Sequence, residues 1–210
     1  MTQEVYDSIA KEYQDSKSLP FRLYVEEHTL FSLIGDIHGL KVLDLACGEG
    51  IYARKLKRRG AEAVTGVDIS AEMIRLARAQ EDAEPLGLRY AVMDAAAVEG
   101  LGSFDVVVGA YLLNYAKSRD ELRAFASSIF RSLKSGGRFV AFNDNPANDP
   151  KDFARYRKYG FEKKCGSGDD KVRREGDPIT YTLFNPDGRV FSFVDVLSSL
   201  KEGDSLLRYR

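Results

Sequence analysis

Apolar residues in this chain keep two rhythms, and the rhythms alternate. Val5, Ile9 and Tyr13 recur at helical spacing over 3–16, and Phe21, Val25, His28, Phe31 and Ile34 do so after Pro20, so two helices are predicted before residue 35. Gly39 ends that stretch, and short apolar runs follow at 41–46, 63–67, 87–92, 104–110 and 138–143. Between them lie helical patterns at 50–59, 70–82 and 118–134. Strand and helix in alternation build a mostly parallel sheet with helices on both faces, so the chain reads as α/β. Residues 145–177 are polar and rich in Gly, Lys and Asp, and read as a long loop. Ile179–Phe184 and Arg189–Phe193 flank Asn185-Pro186-Asp187-Gly188, a β-hairpin signal. The 210 residues fit a single domain: an N-terminal helical cover over 1–36, a core over 37–145, and a loop with a hairpin over 146–210.

The chemistry concentrates at Val42-Leu43-Asp44-Leu45-Ala46-Cys47-Gly48-Glu49-Gly50, a strand ending in an acid and a tight glycine turn before a helix. Glycines let a ligand approach the backbone. Gly48-x-Gly50-x-x-Ala53 also fits a nicotinamide dinucleotide fingerprint, so that reading stays open. A carboxylate at Asp44 argues against it, because it repels a pyrophosphate and suits a cationic or amine-bearing ligand. The second strand ends in Asp68, where two carboxylate oxygens match a ribose diol. Ser70 is placed to cap the next helix, and Ile69 and Met73 to lie against an adenine ring. Asp94 follows the third strand. Helix capping is the alternative for Asp68 and Asp94. Cys47 reads as a small buried filler rather than a reactive thiol, since no basic neighbour flanks it.

These residues resemble motif I and the following acidic positions of the class I methyltransferases that use S-adenosylmethionine (SAM). The resemblance implies a Rossmann-like fold and a cofactor site drawn from Tyr13, Asp44, Ala46, Gly48, Gly50, Asp68, Ile69, Met73, Asp94, Ala95, Ala110 and Tyr115. In it, Asp94 reaches the adenine amino group, and the Tyr6–Tyr13 segment folds over the cofactor. Leu133-Lys134-Ser135-Gly136-Gly137 matches the family's turn before the fifth strand, with Ser135 in place of proline. A finer likeness is to the toxoflavin-pathway N-methyltransferases. It is carried by Ile34-Gly35-Asp36, Asp44–Gly48, Arg58-Arg59-Gly60-Ala61, Gly66–Ser70 and Asn114-Tyr115-Ala116. The C-terminus departs from the pattern: the sixth and seventh strands are expected to be shortened or missing. The fifth strand would then be an exposed edge open to another chain. Oligomeric state is not specified by the sequence.

Composition narrows the partners. Lys plus Arg number 31 and Asp plus Glu 32, so no polyanionic nucleic acid is expected. The basic run Arg54, Lys55, Lys57, Arg58, Arg59 reads as a solvated helix face. Two distant cysteines, Cys47 and Cys165, argue against disulfides and for a cytoplasmic setting. No apolar stretch approaches twenty residues, so no membrane partner is expected, and His28 and His38 have no ligand-spaced companions, so no metal is. The expected partner is a small-molecule methyl acceptor. It should meet residues after the fourth and fifth strands, 109–115 and 143–145. Asp144 is the candidate general base and Tyr115 an orienting hydroxyl or ring wall, with a plain turn as the alternative at 143–146. Tyr13, Tyr24, Tyr111, Tyr115 and Tyr159 are available to stack on a planar heteroaromatic. The expectation is methyl transfer to a nitrogen or oxygen of such a molecule. A SAM-binding protein of this fold without turnover is the alternative.

Overall fold

Side-chain alternation along β1 (Lys41–Leu45) sets the layers. Val42 packs with Leu30, Ile34, Leu56 and Ile74 on one face of the sheet. Leu43 and Leu45 pack with Leu122, Phe125 and Ile129 on the other. The computed structural model describes residues 19–98, 100–145, 148–166, 178–185 and 187–196. The helix expected over 3–16, and Tyr13 with it, lies outside them.

Four more strands join β1: β2 (Ala63–Asp68), β3 (Arg89–Val92), β4 (Phe104–Ala110) and β5 (Leu133–Phe142). All pair in parallel, in the order β3-β2-β1-β4-β5. The order reverses between β1 and β4, which opens a crevice beyond their carboxyl ends. Helices α1 (Glu27–Ile34), α2 (Ile51–Arg58) and α3 (Ala71–Ala83) cover the Val42 face, and α4 (Arg119–Ser132) covers the other. This is the Rossmann-like architecture of class I methyltransferases. Ser70 caps α3 as expected, accepting the Met73 N–H at 3.2 Å, and Ser118 caps α4 through the Glu121 N–H.

The structure departs from the sequence reading in three places. A π-helical turn, Arg22–Glu26, precedes α1. Helix α4 stops at Ser132, and β5 begins at Leu133 opposite Phe104. A register shift then brings Arg138 opposite Val106, with Gly136 at φ 77° inside the irregular stretch. The supposed long loop 145–177 contains a ten-residue 3-10 helix, Pro150–Tyr159, and a strand, β6 (Phe161–Cys165). Lys163 and the aromatic residues here gain their order from partners far along the chain. β6 pairs with β7 (Pro178–Phe184), which forms the expected hairpin with β8 (Val190–Val196). Together they make a separate antiparallel sheet. The C-terminal strands therefore do not extend the main sheet, and among the described residues β5 is its edge.

The basic run on α2 is spent on internal contacts. Arg54 bonds Glu81 at 2.8 Å and the Glu84 carbonyl at 2.8 Å, Arg58 pairs with Glu84, and Lys55 with Glu27. Lys57 reaches the Glu62 carbonyl, and Arg59 lies over the Phe31 ring at 3.9 Å. No anionic surface partner is needed to explain these charges.

Glu81 is the hub of this arrangement. Burial raises its pKa, but the N–H groups of Leu86, Leu88 and Gly87, with Arg54, outweigh that and hold it below the ordinary glutamate value. A depressed folded pKa contributes stability above the unfolded value that is lost as pH falls through the folded one. Glu81→Ala is expected to lower unfolding free energy at pH 7 by about 2 kcal/mol. It should also flatten the loss of stability between about pH 5 and pH 3. Urea unfolding across that range checks both.

Candidate functional site

The glycine turn after β1 is shaped by backbone that few residues adopt. Ala46 (φ 54°), Gly48 (φ 55°) and Gly50 (φ 83°) all have left-handed backbone. A Cβ on Gly50 would press into the Tyr90 ring, 2.8 Å from Cζ and 2.9 Å from Cε1. Only glycine passes the chain over that ring and into α2.

Asp68 fastens the turn. Its Oδ2 accepts the Gly48 N–H at 2.8 Å and its Oδ1 the Ser70 N–H at 2.9 Å. Asp94 caps a 3-10 helix, Ala95–Ala97, through the Ala96 N–H at 2.8 Å, and also faces the crevice. Capping and ligand contact, set out above as alternatives, are both open to it.

A cavity of about 240 Å³ lies here, beyond the carboxyl ends of β1, β2 and β4. Of the residues inferred from sequence, Ala46, Gly48, Asp68, Ile69, Met73, Asp94, Ala95, Ala110 and Tyr115 line it. Asp44 and Gly50 do not. Asp44 is 1% exposed and lies on the Val42 side of β1, beneath the turn, because alternation turns residue 44 away from the α4 face. Its influence on a ligand is through charge across the turn. Gly50 is buried against Tyr90.

The sequence reading did not single out Glu49, which also lines the cavity. Its side chain is 1% exposed, and its Oε1 receives no hydrogen bond from the described residues. Tyr52, Met93, Tyr111, Lys117, Glu121 and Phe125 are also part of the walls. The Cys47 thiol is pushed well up by burial first, and then by the carboxylates of Asp44, Asp68 and Glu49. That excludes a thiolate nucleophile. It also registers a strongly negative field at the turn.

A second cavity, about 560 Å³, adjoins the first and shares Tyr111 and Tyr115 with it. Its walls are mostly aromatic: Phe21, Tyr24, Tyr156, Tyr159, Phe161 and Tyr181. Phe161 stacks on Tyr156 with centroids 5.1 Å apart and packs on Phe21 at 4.4 Å. The cavity lies between the Arg22–Glu26 turn, the end of β4 and the antiparallel sheet. Tyr111 stands at the junction with φ 62°, a conformation that costs a non-glycine residue energy and often marks a functional site.

Asp144 lines neither cavity. One oxygen accepts from Lys163 Nζ and the other from the Tyr181 hydroxyl. With both oxygens engaged, the carboxylate anchors β6 and β7 to the end of β5. The candidate base read from sequence is thus placed as a structural clamp. Among the described residues, no cluster of His, Cys, Asp or Glu is arranged to hold a metal ion, and no helix is long and apolar enough to cross a membrane.

Residues 42–137 match the family described as Methyltransferase domain. The chain is 31% identical over 131 residues to the ubiquinone biosynthesis O-methyltransferase of Idiomarina loihiensis, covering 60% of this chain and 50% of that protein. It is 31% identical over 148 residues to the demethylmenaquinone methyltransferase of Lactococcus lactis, covering 66% and 56%. Among solved structures it is similar to a DhpI–SAM–HEP complex, with 26% identity, a TM-score of 0.61, and coverage of 94% of this chain and 81% of that one. The chain spans about half the length of the curated relatives it matches. The fold and crevice are of the Rossmann-like class I methyltransferase type, residues 42–137 match a methyltransferase domain, and the cofactor is SAM.

Asp68 joins two segments twenty residues apart, so its loss is felt without ligand. Asp68→Ala is expected to lower the unfolding free energy of the ligand-free protein by about 1–3 kcal/mol, since two backbone donors lose their acceptor. Denaturant titration of the apo protein measures it. An unchanged midpoint would show that the turn holds itself.

Proposed function

We propose that this protein is a SAM-dependent methyltransferase that methylates a nitrogen or oxygen of a small planar aromatic molecule. One observation carries the reading: an acid-rimmed cavity at the strand ends shares the walls Tyr111 and Tyr115 with a larger aromatic one. The likeness to the toxoflavin-pathway N-methyltransferases and the quinone methyltransferase relatives agree with a flat acceptor, without fixing which one.

SAM, when bound, supplies an activated methyl group on a sulfonium. Asp68 is placed for its ribose, Ile69, Met73 and Asp94 for the adenine, and Ala46, Gly48 and Glu49 for the amino-acid end. The field of Asp44, Glu49 and Asp68 favours that cation and disfavours the pyrophosphate of a nicotinamide dinucleotide. Ala110, Tyr111 and Tyr115 line the passage between donor and acceptor. Methyl transfer is a displacement at carbon, so the protein's main task is alignment and exclusion of water. The aromatic cavity does both. Its rings sandwich a flat acceptor and confine it to the plane they define.

Calorimetric titration with SAM, S-adenosylhomocysteine and NADH tests the cofactor. The first two should bind and NADH should not. Glu49→Gln should weaken SAM by about 1 kcal/mol more than S-adenosylhomocysteine, because only SAM carries the sulfonium charge. Equal losses would mean that Glu49 acts through the shared amino group or the loop. Methyl-labelled SAM with a set of planar phenols and N–H heterocycles tests the reaction. Transfer of label should depend on Phe161, and Phe161→Leu should weaken acceptor binding by about 1 kcal/mol, the worth of a lost ring contact. Tight SAM binding with no transfer to any planar acceptor would favour a protein that binds SAM without turnover.

A further inference from the structure

We infer that Glu26 is the group that takes the proton from the acceptor as it is methylated. This rests on the reading of the aromatic cavity as the acceptor site. Glu26 ends the π-helical turn Arg22–Glu26 and lines that cavity. It is 9% exposed, unusual for a glutamate in a wall that is otherwise largely aromatic. Its Oε1 accepts the Tyr111 hydroxyl, and Tyr111 belongs to both cavities. Its Oε2 receives no hydrogen bond from the described residues. The Arg22 guanidinium lies 3.6 Å from Oε2, close enough to balance charge.

The other charged side chain of the cavity wall is Lys163, and it is committed to Asp144. The remaining ionisable groups there are tyrosines. Among the described residues, Glu26 is therefore the carboxylate that an acceptor N–H or O–H meets in this cavity, held beside the first cavity by Tyr111.

The step balances without any further reagent. The acceptor's lone pair forms the new bond to the methyl carbon. The carbon–sulfur bond breaks and its electron pair stays on sulfur. The acceptor's proton passes to the Glu26 carboxylate. A sulfonium and a carboxylate enter the step charged, and a thioether and a carboxylic acid leave it neutral. Loss of both charges is favoured where the walls exclude water. Tyr111 and Arg22 are positioning residues: they fix the carboxylate at the cavity wall.

The test uses 7-hydroxycoumarin, a planar phenol whose absorption separates phenol from phenolate. It is bound to the full chain with S-adenosylhomocysteine filling the cofactor cavity. A carboxylate beside the phenol should hold it protonated, so the bound probe should titrate at higher pH than in water. Glu26→Gln should lower that titration by at least about one unit, a tenfold change in the phenolate-to-phenol ratio at fixed pH. A merely structural Glu26 would change affinity and leave the titration of the bound probe where it was, and that result overturns the inference. Should Glu26→Gln not fold, Tyr111→Phe carries the test. It removes the donor to Oε1, leaves more charge on the carboxylate and should raise the titration further; no change there overturns the inference as well. If the wild-type chain does not bind the probe at all, the acceptor-cavity reading fails and this inference falls with it. Binding that depends on Phe161, with a titration indifferent to Glu26, overturns the proton role alone.

Discussion

The site depends on one carboxylate. Asp68 takes the Gly48 N–H on one oxygen and the Ser70 N–H on the other. It thereby ties the turn after β1 to the start of α3. Without it the left-handed path through Ala46, Gly48 and Gly50 would rest on backbone bonds alone, within the turn and from Cys47 to the Val67 carbonyl. The same carboxylate faces the cavity. The atoms that hold the turn therefore also form part of the cavity wall, and neither can be altered without the other.

That coupling sets the electrostatics. Asp44 beneath the turn, Glu49 in it and Asp68 beside it all act on Cys47, whose thiol is kept protonated by burial and by their charge. Burying like charges near one another costs free energy that a neutral turn would not incur. A cation bound in the crevice relieves part of that cost. The arrangement thus prefers a positively charged ligand before any specific hydrogen bond is considered, and it disfavours an anionic one for the same reason.

The aromatic cavity is built differently. The antiparallel sheet β6-β7-β8 shares no strand with the main sheet. Asp144 joins the two, through Lys163 on β6 and Tyr181 on β7. The rings of Phe21, Tyr156 and Phe161 close the remaining gap against the Arg22–Glu26 turn. A polar clamp at one side and ring packing at the other leave an aromatic hollow between them, next to the donor cavity. The sheet thus serves as a wall, and Tyr111 and Tyr115 mark where the two hollows meet.

The sequence by itself determined the parallel sheet, the crevice and most of the cofactor side. Strand tips, a glycine turn and an N-cap are local: Gly48, Asp68, Ser70 and Asp94 act within a few residues of their strand ends, and the parallel register β1–β2 brings those ends together. Even there alternation decided details that spacing could not, turning Asp44 under the turn while Glu49 faced the cavity. The acceptor side was decided by tertiary structure alone. Tyr111 meets Glu26 across 85 positions, and Asp144 meets Lys163 and Tyr181 across 19 and 37. Contacts that distant leave no periodic mark in the chain. Asp144 looked like a base because it follows a strand, and the sequence reading did not single out Glu26. Only the folded neighbourhood engages the first with two donors and brings the second to a cavity wall.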